Sequence, residues 1–282
     1  MKTFLLLLSF LSFVCLAHPP QGQDLAKCEH QYANYLANAG IMVSTNSHKI
    51  LFDAFFTNGF GQYALVPTET QQLLLNAQPP WDNISALFIS HVHGDHFSPA
   101  PTLTYLRANP GVEVYASSQV IEKLSGSIDS KRLNSIEFDT DNSVVATTLG
   151  TLKIDAVQLP HSGGERHAEI INLAFRVQFD NDLTVLHLGD ADPNDQNFSI
   201  YQSHWDKKSL EVAFPPYWFL GTPEGDQILS DRLKAEQVIG VHVPIAAADD
   251  PETWKARHQG DLFTTPGEIR AIGTSKCEHT DQ

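Results

Sequence analysis

The stretch ISALFISHVHGDH, residues 84–96, decides the fold, because an apolar, strand-like run passes directly into a loop with three imidazoles and a carboxylate. A strand that ends in such a loop can aim several side chains into one concave space. Histidine nitrogens and carboxylate oxygens are ligands that zinc favours. The motif therefore predicts a metal site at the carboxyl end of a strand, with enough ligand atoms for two ions.

The whole chain has the composition of a folded protein with a sizeable core. It contains 282 residues, of which 42% are hydrophobic and 18% charged, and these are ordinary proportions for a globular domain. No internal repeat, low-complexity tract or long Pro/Ser/Gly linker divides it. We therefore expect one mixed α/β domain over residues 18–282.

The first 17 residues have the pattern of a signal peptide. Lys2 precedes an apolar segment, and the small residues Cys15 and Ala17 stand before a cleavage point near Ala17. The apolar run is shorter than the ~20 residues that a spanning helix needs, and no later segment is long and apolar enough. The sequence predicts a secreted or periplasmic protein without stable membrane insertion.

Two cysteines, Cys28 and Cys277, remain after the predicted cleavage, one near each end of the mature chain. An exported protein meets oxidising conditions in which a disulfide persists. A Cys28–Cys277 bond would tie the two ends together, and the alternative is two free thiols.

The formal net charge of −15 argues against a polyanionic partner. Nucleic-acid binding needs a basic surface that displaces counterions, and no stripe of lysine and arginine is present. We expect a small-molecule substrate and no nucleic acid.

Hydrophobic periodicity and turn residues predict an alternation of strands and helices. A hairpin (39–44 and 49–55) opens the fold after a polar start that extends to about residue 35. The further predicted strands are 84–90, 112–116, 144–149, 152–159, 170–179, 183–188, 211–215, 238–243 and 268–272, and the predicted helices are 68–76, 98–108, 117–124 and 222–234.

Three more ligand-type side chains stand where a strand gives way to a loop. His161 follows the strand ending at Leu159, Asp190 follows Leu186-His187-Leu188-Gly189, and His242 ends the strand that begins at Val238. Each alone is unremarkable, since a single histidine at a strand end is usually structural. Together with the first motif they can complete two coordination shells.

This order of motifs, HVHGDH at 91–96, then His161, Asp190 and His242, resembles the binuclear metallo-hydrolases of the metallo-β-lactamase superfamily. The resemblance implies a four-layer αββα sandwich. It implies that one metal is bound by three histidines, the second by Asp95 and two histidines, and that Asp190 bridges them. The first set is His91, His93 and His161, and the histidines of the second are His96 and His242. Asp53 is similar to the family's carboxylate that orients the ligand loop.

Such a ligand set has a definite chemistry. Two divalent ions that share a carboxylate lower the pKa of a water from about 15.7 toward roughly 7, which supplies a metal-bound hydroxide as the nucleophile at neutral pH. Asp95 can accept the proton of that water. Tyr217 can donate a hydrogen bond to a developing oxyanion or leaving group, although an aromatic loop packed on the core explains it equally well. Arg166 and His167 can contact an anionic group of the substrate.

We therefore expect an exported hydrolase with two Zn²⁺ per chain, iron or manganese being possible substitutes, that cleaves a small ester, lactone or phosphodiester. A bridging aspartate is absent from true β-lactamases, so the chain is more similar to the branch of ascorbate-phosphate lactonase and N-acylphosphatidylethanolamine phospholipase D. Two alternatives stay open: an iron-dependent oxidoreductase on the same fold, and an inactive, metal-stabilised binding protein with no open coordination position.

Overall fold

A computed structural model describes residues 31–140, 142–207 and 209–273. They belong to one compact unit, Glu29–Ser275. The predicted signal peptide (residues 1–17) and the two cysteines, Cys28 and Cys277, lie outside the described residues, so export and the disulfide stay predictions. Among the described helices, none has the length and apolar character needed to cross a bilayer.

The strands of the described chain are β1 (Tyr32–Ala37), β2 (Gly40–Ser44), β3 (Lys49–Phe52), β4 (Ile84–Ile89), β5 (Glu113–Ser117), β6 (Leu133–Ile136), β7 (Val145–Leu149), β8 (Leu152–Gln158), β9 (Leu173–Gln178), β10 (Thr184–His187), β11 (Leu210–Phe214), β12 (Ala235–Gly240), β13 (Asp261–Leu262) and β14 (Ile269–Ala271). The α-helices are α1 (Thr68–Leu75), α2 (Pro99–Ala108), α3 (Ser118–Leu124), α4 (Asp195–Ser199), α5 (Gln202–Trp205), α6 (Pro223–Gln227) and α7 (Pro251–His258). Short 3-10 turns cover Ser130–Arg132, Gly164–His167, Tyr217–Phe219 and Ile245–Ala248, and a π-helical turn covers Ile228–Leu233.

The strands form two seven-stranded sheets. The first has the order β14-β1-β2-β3-β4-β5-β6 and the second β13-β12-β11-β10-β9-β8-β7. Neighbouring strands from β3 to β6 are parallel, as are those from β10 to β13. Parallel strands need crossover connections, and helices supply several of them here.

The two sheets pack face to face with helices outside both, which confirms the predicted four-layer αββα architecture. Alternation along the strands explains the layers. In β3, Phe52 lies in the core between the sheets, whereas its neighbour Leu51 packs beneath the helices of the first sheet. In β10, Val185 lies between the sheets and Leu186 packs under the helices of the second.

The sequence did not predict α4, α5, α7 or β13, and two of its predictions need correction. The polar start extending to about residue 35 was wrong, because β1 already begins at Tyr32 and pairs with both β2 and β14. Ala33 and Asn34 in this strand carry little hydrophobic signal in the sequence. Both residues are buried because β2 and β14 flank β1. The predicted helix 222–234 is divided at Ile228, where α6 passes into the π-helical turn.

Candidate metal centre

The loop after β4 is a tight turn that gathers the first donors. The backbone N–H groups of His96 and Phe97 both donate to the carbonyl oxygen of His93, at 3.1 and 2.8 Å. His91 and His96 are almost fully buried, whereas His93 is half-buried. The turn therefore holds the donors of one short segment around a single concave space.

The other donors come from the second sheet. His161 follows β8, Asp190 follows β10 and His242 follows β12. The N–H of Leu173, the first residue of β9, donates to the carbonyl oxygen of Ser90 at 2.9 Å and joins the two sheets beside this site. All seven donors predicted from the sequence are thereby brought to one place.

These side chains form two groups, in each of which one ligand atom per residue lies within 4.8 Å of the others. The first group is His91, His93 and His161. The second is Asp95, His96, Asp190 and His242. In the first, Nε2 of His161 lies 3.1 Å from Nδ1 of His93.

Asp190 lies between the two groups. Its Oδ1 is 3.1 Å from Nε2 of His96, and its Oδ2 is 3.2 Å from Nε2 of His242. The same Oδ2 is 3.5 Å from Nε2 of His161 and 3.9 Å from Nε2 of His91. A carboxylate in that position can contact cations held by either group.

Several donor atoms are buried without a hydrogen-bond partner among the described residues. They are Nε2 of His91, His96 and His242 and Oδ1 of Asp190, since the close contacts between the imidazoles and Asp190 do not have hydrogen-bond geometry. Buried polar atoms in native proteins almost always have partners, and each exception calls for an explanation such as an ion. Nitrogen and carboxylate donors at these separations fit a pair of divalent cations.

Burial and neighbouring charges lower the pKa of some of these histidines and raise that of others. Burial lowers the pKa of His91 well below its usual value, and it lowers that of His93, with help from His161 and His167, to about 4. Burial opposes protonation of His96 as well, but Asp190 and Asp53 raise its pKa well above the usual value. A cation that binds His96 must therefore displace a proton from it.

Asp53, at the end of β3, sets the orientation of two donors. Its carboxylate accepts hydrogen bonds from the N–H of Ser90 at 2.7 Å and from the Ser90 hydroxyl at 2.6 Å, and it lies 2.8 Å from Nδ1 of His96. The Ser90 oxygen is in turn 3.0 Å from Nδ1 of His91. This network assigns a proton to Nδ1 of both imidazoles and leaves their Nε2 atoms as donors to a cation.

Asn172 is a positioning residue that the sequence reasoning missed. It is fully buried, and its Oδ1 accepts a hydrogen bond from the N–H of Asp190 at 2.9 Å. Its Nδ2 donates to the carbonyl oxygens of Leu188 at 3.2 Å and Leu159 at 3.4 Å. One side chain thus ties together the strand ends that present Asp190 and His161; its position directly before β9 was the only available signal.

His242 has a left-handed backbone conformation, with φ of 59°. Such a conformation is uncommon outside glycine, although asparagine, aspartate and histidine adopt it more often than other residues, and it clusters at functional sites. The N–H of His242 donates to the carbonyl oxygen of Asn38 at 2.8 Å, and Nδ2 of Asn38 donates to that of Asp95 at 2.8 Å. The turn between β1 and β2 therefore positions one donor from each sheet.

The donors open into a cavity of ≈ 270 Å³. Phe60, Tyr63 and Trp218 form part of its wall, and the rings of Tyr63 and His242 are nearly perpendicular with centroids 4.2 Å apart. Burial raises the pKa of Tyr63, and the negative charge of Asp190 raises it further. The hydroxyl of Tyr63 therefore stays protonated. The sequence reasoning did not identify Tyr63, which is distant in the chain from every donor motif.

Tyr217 lies behind this wall. Its ring packs against Trp254 and His258, with centroids 5.9 and 5.2 Å apart, and its neighbour Trp218 takes the place at the cavity. Arg166 is exposed, whereas His167 lines the cavity with its ring 4.6 Å from that of His161. The predicted role of Tyr217 in catalysis stays a prediction.

Comparison with known proteins agrees with this architecture. Residues 48–203 match the family model described as the beta-lactamase superfamily domain. No curated protein matches the sequence.

Solved structures share the fold at low sequence identity. Igni18, a metallo hydrolase from the archaeon Ignicoccus hospitalis, is 18% identical with a TM-score of 0.58, over 86% of this chain and 99% of that one. Isothiocyanate hydrolase from Delia radicum gut bacteria is 15% identical with a TM-score of 0.52, over 86% and 100%. CmlA, a diiron beta-hydroxylase from Streptomyces venezuelae, is 15% identical with a TM-score of 0.52, over 86% of this chain and 54% of CmlA.

The family match covers more than half of the chain, and the two-sheet fold carries its histidine and aspartate donors at the strand ends. The chain belongs to the beta-lactamase superfamily and has the fold of that superfamily's metallo-hydrolases.

Proposed function

We propose that this protein is an exported, two-zinc hydrolase that cleaves a small ester, lactone or phosphodiester. The position of Asp190 carries the proposal, because its two oxygens lie 3.1 to 3.9 Å from imidazole nitrogens of both donor groups. In this assignment His91, His93 and His161 would hold one ion, Asp95, His96 and His242 would hold the other, and Asp190 would help to hold them. When bound, two divalent ions supply Lewis-acid chemistry, acidifying water and polarising the oxygen of the scissile bond.

The chain's own residues would orient the substrate and move protons. Asp95 lines the cavity, and its Oδ2 lies 3.2 Å from Nε2 of His242 and 3.4 Å from Nδ2 of Asn38. That carboxylate can accept a proton from the attacking water. The Tyr63 hydroxyl, kept protonated by its raised pKa, can donate a hydrogen bond to the leaving oxygen. Phe60 and Trp218 narrow the space around the reacting atoms.

Substitution of Asp190 tests this assignment. We expect Asp190→Ala to lower the metal content from about two ions per chain and to reduce kcat/KM on the best of three substrate types, aryl esters, lactones and bis-aryl phosphates, by about 100-fold or more. Asp231→Ala, at an exposed aspartate of the π-helical turn, is the matched control and should keep full activity and metal. Undiminished hydrolysis by Asp190→Ala would contradict the proposed mechanism.

An iron-dependent oxidoreductase is the second candidate, since histidine and aspartate also suit iron and the similar fold of CmlA belongs to a diiron enzyme. Elemental analysis of the purified protein separates the two. Zinc supports the hydrolase, and iron with an absorbance band supports the oxidoreductase.

A further inference from the structure

Strand β7 forms one outer edge of the second sheet. Among the described residues it pairs with β8, and no strand lies along its other side. Its three central residues, Ala146, Thr147 and Thr148, are exposed. β7 therefore presents backbone N–H and C=O groups to solvent along one side.

The other edge strands of the two sheets are shorter than β7. Among the described residues β13 has two residues, β14 three and β6 four, and on β14 the side chain of Arg270 makes ion pairs with Asp261 and Glu268. Short length, charges, proline and bulges are the usual protections of a free edge against pairing with another chain. β7 has five residues, Val-Ala-Thr-Thr-Leu, without charge or proline, and its pairing with β8 runs without a register shift.

The hairpin of β7 and β8 determines which backbone groups point away from the sheet. A two-residue turn joins the strands, and Leu149 pairs with Leu152 across it. The pair that closes such a turn is hydrogen-bonded, and hydrogen-bonded pairs alternate with non-bonded pairs along an antiparallel ladder. Ala146 and Thr148 belong to the non-bonded pairs, so their N–H and C=O groups point outward.

We propose that β7 pairs with β7 of a second copy of this chain, antiparallel about a two-fold axis at Thr147, and that the protein thereby forms a homodimer. In this register all five residues of each strand are paired. Thr147 faces its own counterpart, Ala146 faces Thr148, and Val145 faces Leu149. The outward N–H and C=O groups of each Ala146–Thr148 pair then bond to each other in both directions. A two-fold contact of this kind uses the same surface on both subunits.

The side chains at this edge are complementary to a second copy. The facing residues are uncharged, and threonine pairs are favourable across antiparallel strands. The nearest charges are on β8, where Lys153 pairs with Thr148 and Asp155 pairs with Ala146. Since Thr148 faces Ala146 of the second copy, Lys153 of one subunit lies in the same row of the sheet as Asp155 of the other. The register therefore brings opposite charges, rather than like charges, to the two sides of the axis.

The size of this contact predicts a reversible dimer. One pair of short strands buries less than the roughly 1,200–2,000 Å² of a standard stable interface, and the net charge of −15 adds repulsion at long range. Sedimentation equilibrium of the purified protein at physiological salt, from micromolar to submillimolar concentration, should show a mass that rises toward twice the chain mass of 31.2 kDa. A monomer at every concentration would overturn the proposal.

Two cysteine variants test the register. Facing residues of a non-bonded antiparallel pair have Cα atoms about 4.5 Å apart, so Thr147→Cys brings two thiols within bridging distance at the axis. Thr148→Cys is the matched control, because the two copies of position 148 are diagonal neighbours, about 7–8 Å apart, beyond the range of a disulfide. After mild oxidation, mass spectrometry should find the intermolecular bond at position 147 and not at 148, separately from any bond of Cys28 or Cys277. Equal cross-linking of the two variants would contradict the register.

A charge at the axis tests the association without cross-linking. Thr147→Lys places two like charges opposite each other and should raise the concentration at which half of the protein is dimeric by about fivefold. The added lysines also reduce the net negative charge, so an effect of overall charge would act in the opposite direction. Thr147→Gln, a neutral change at the same position, should leave this concentration nearly unchanged. An equal response of the two variants would overturn the pairing at Thr147.

Discussion

The carboxylate of Asp53 lies 2.8 Å from Nδ1 of His96, and every polar neighbour hydrogen-bonded to it is a donor. Two of these donors are the N–H and O–H of Ser90, and the third is the imidazole N–H. An asparagine in place of Asp53 would turn its NH₂ group, which cannot accept a hydrogen bond, toward at least one of these donors. The site therefore needs both acceptor oxygens of Asp53, and it needs the negative charge of this carboxylate.

We predict that Asp53→Asn weakens metal binding by about 10–100-fold, the usual cost of disturbing a group that orients a ligand. Competition with a chromophoric chelator measures the affinity. Asp82→Asn, which breaks a surface ion pair of 2.6 Å with Lys49, is the control and should bind metal normally. Normal affinity in Asp53→Asn would show that His96 needs no such partner.

Gly189, directly before Asp190, is the second tested position. Its φ is 54°, and a Cβ there would collide with Oδ1 of Asn172 and the side chain of Ser90. We predict that Gly189→Ala reduces the free energy of unfolding by about 1–2 kcal/mol for the backbone conformation and by a further 1–3 kcal/mol, roughly, for the collision. It should also lower metal content, because Asn172 can no longer hold the N–H of Asp190.

Gly150→Ala separates these two contributions. Gly150 has nearly the same φ, 56°, but open space where its Cβ would lie. Urea unfolding should show only the smaller, conformational loss for this variant, with metal content unchanged. Equal losses in both variants would rule out the collision with Asn172.

His204 gives a prediction about pH that is independent of the metal centre. Its side chain is buried against Trp205, and burial lowers its pKa to about 4 while Asp155, 3.9 Å away, opposes the shift. The unfolded chain binds a proton near pH 6.5, whereas the folded chain does so only near 4. Stability is therefore present above the unfolded pKa and is lost as pH falls from 6.5 toward 4.

Urea unfolding of the wild type and His204→Gln across that pH range checks this. The wild-type free energy of unfolding should decline more steeply on acidification, by less than about 1.4 kcal/mol per pH unit. Parallel curves for the two proteins would show that His204 does not contribute to the acid sensitivity.

The donors were predictable because each follows directly on a recognisable strand, and the carboxyl ends of parallel strands lie along the same edge of a sheet. HVHGDH after β4 is a local signal, and His161, Asp190 and His242 repeat it. The prediction of a four-layer fold depended on the order of these motifs as a family resemblance.

Other parts of the site depend on packing between segments distant in the chain. Asn172 acts through backbone groups that approach it only after β8, β9 and β10 have paired. Tyr63 reaches His242 across the mouth of the site, and Trp218 rather than Tyr217 lines the cavity because of the turn at Tyr217–Phe219. None of these contacts leaves a periodic or spaced pattern in the sequence.

The division of the donors between the sheets has a consequence for how the protein is made. The segment through β6 carries His91, His93, Asp95 and His96, but His161, Asp190 and His242 come from the later strands of the second sheet. A nascent chain that extends only through β6 has no complete set of donors for either group. Loading of the two proposed ions must then follow synthesis of His242, and a chain truncated before that residue would lack one donor of the second group.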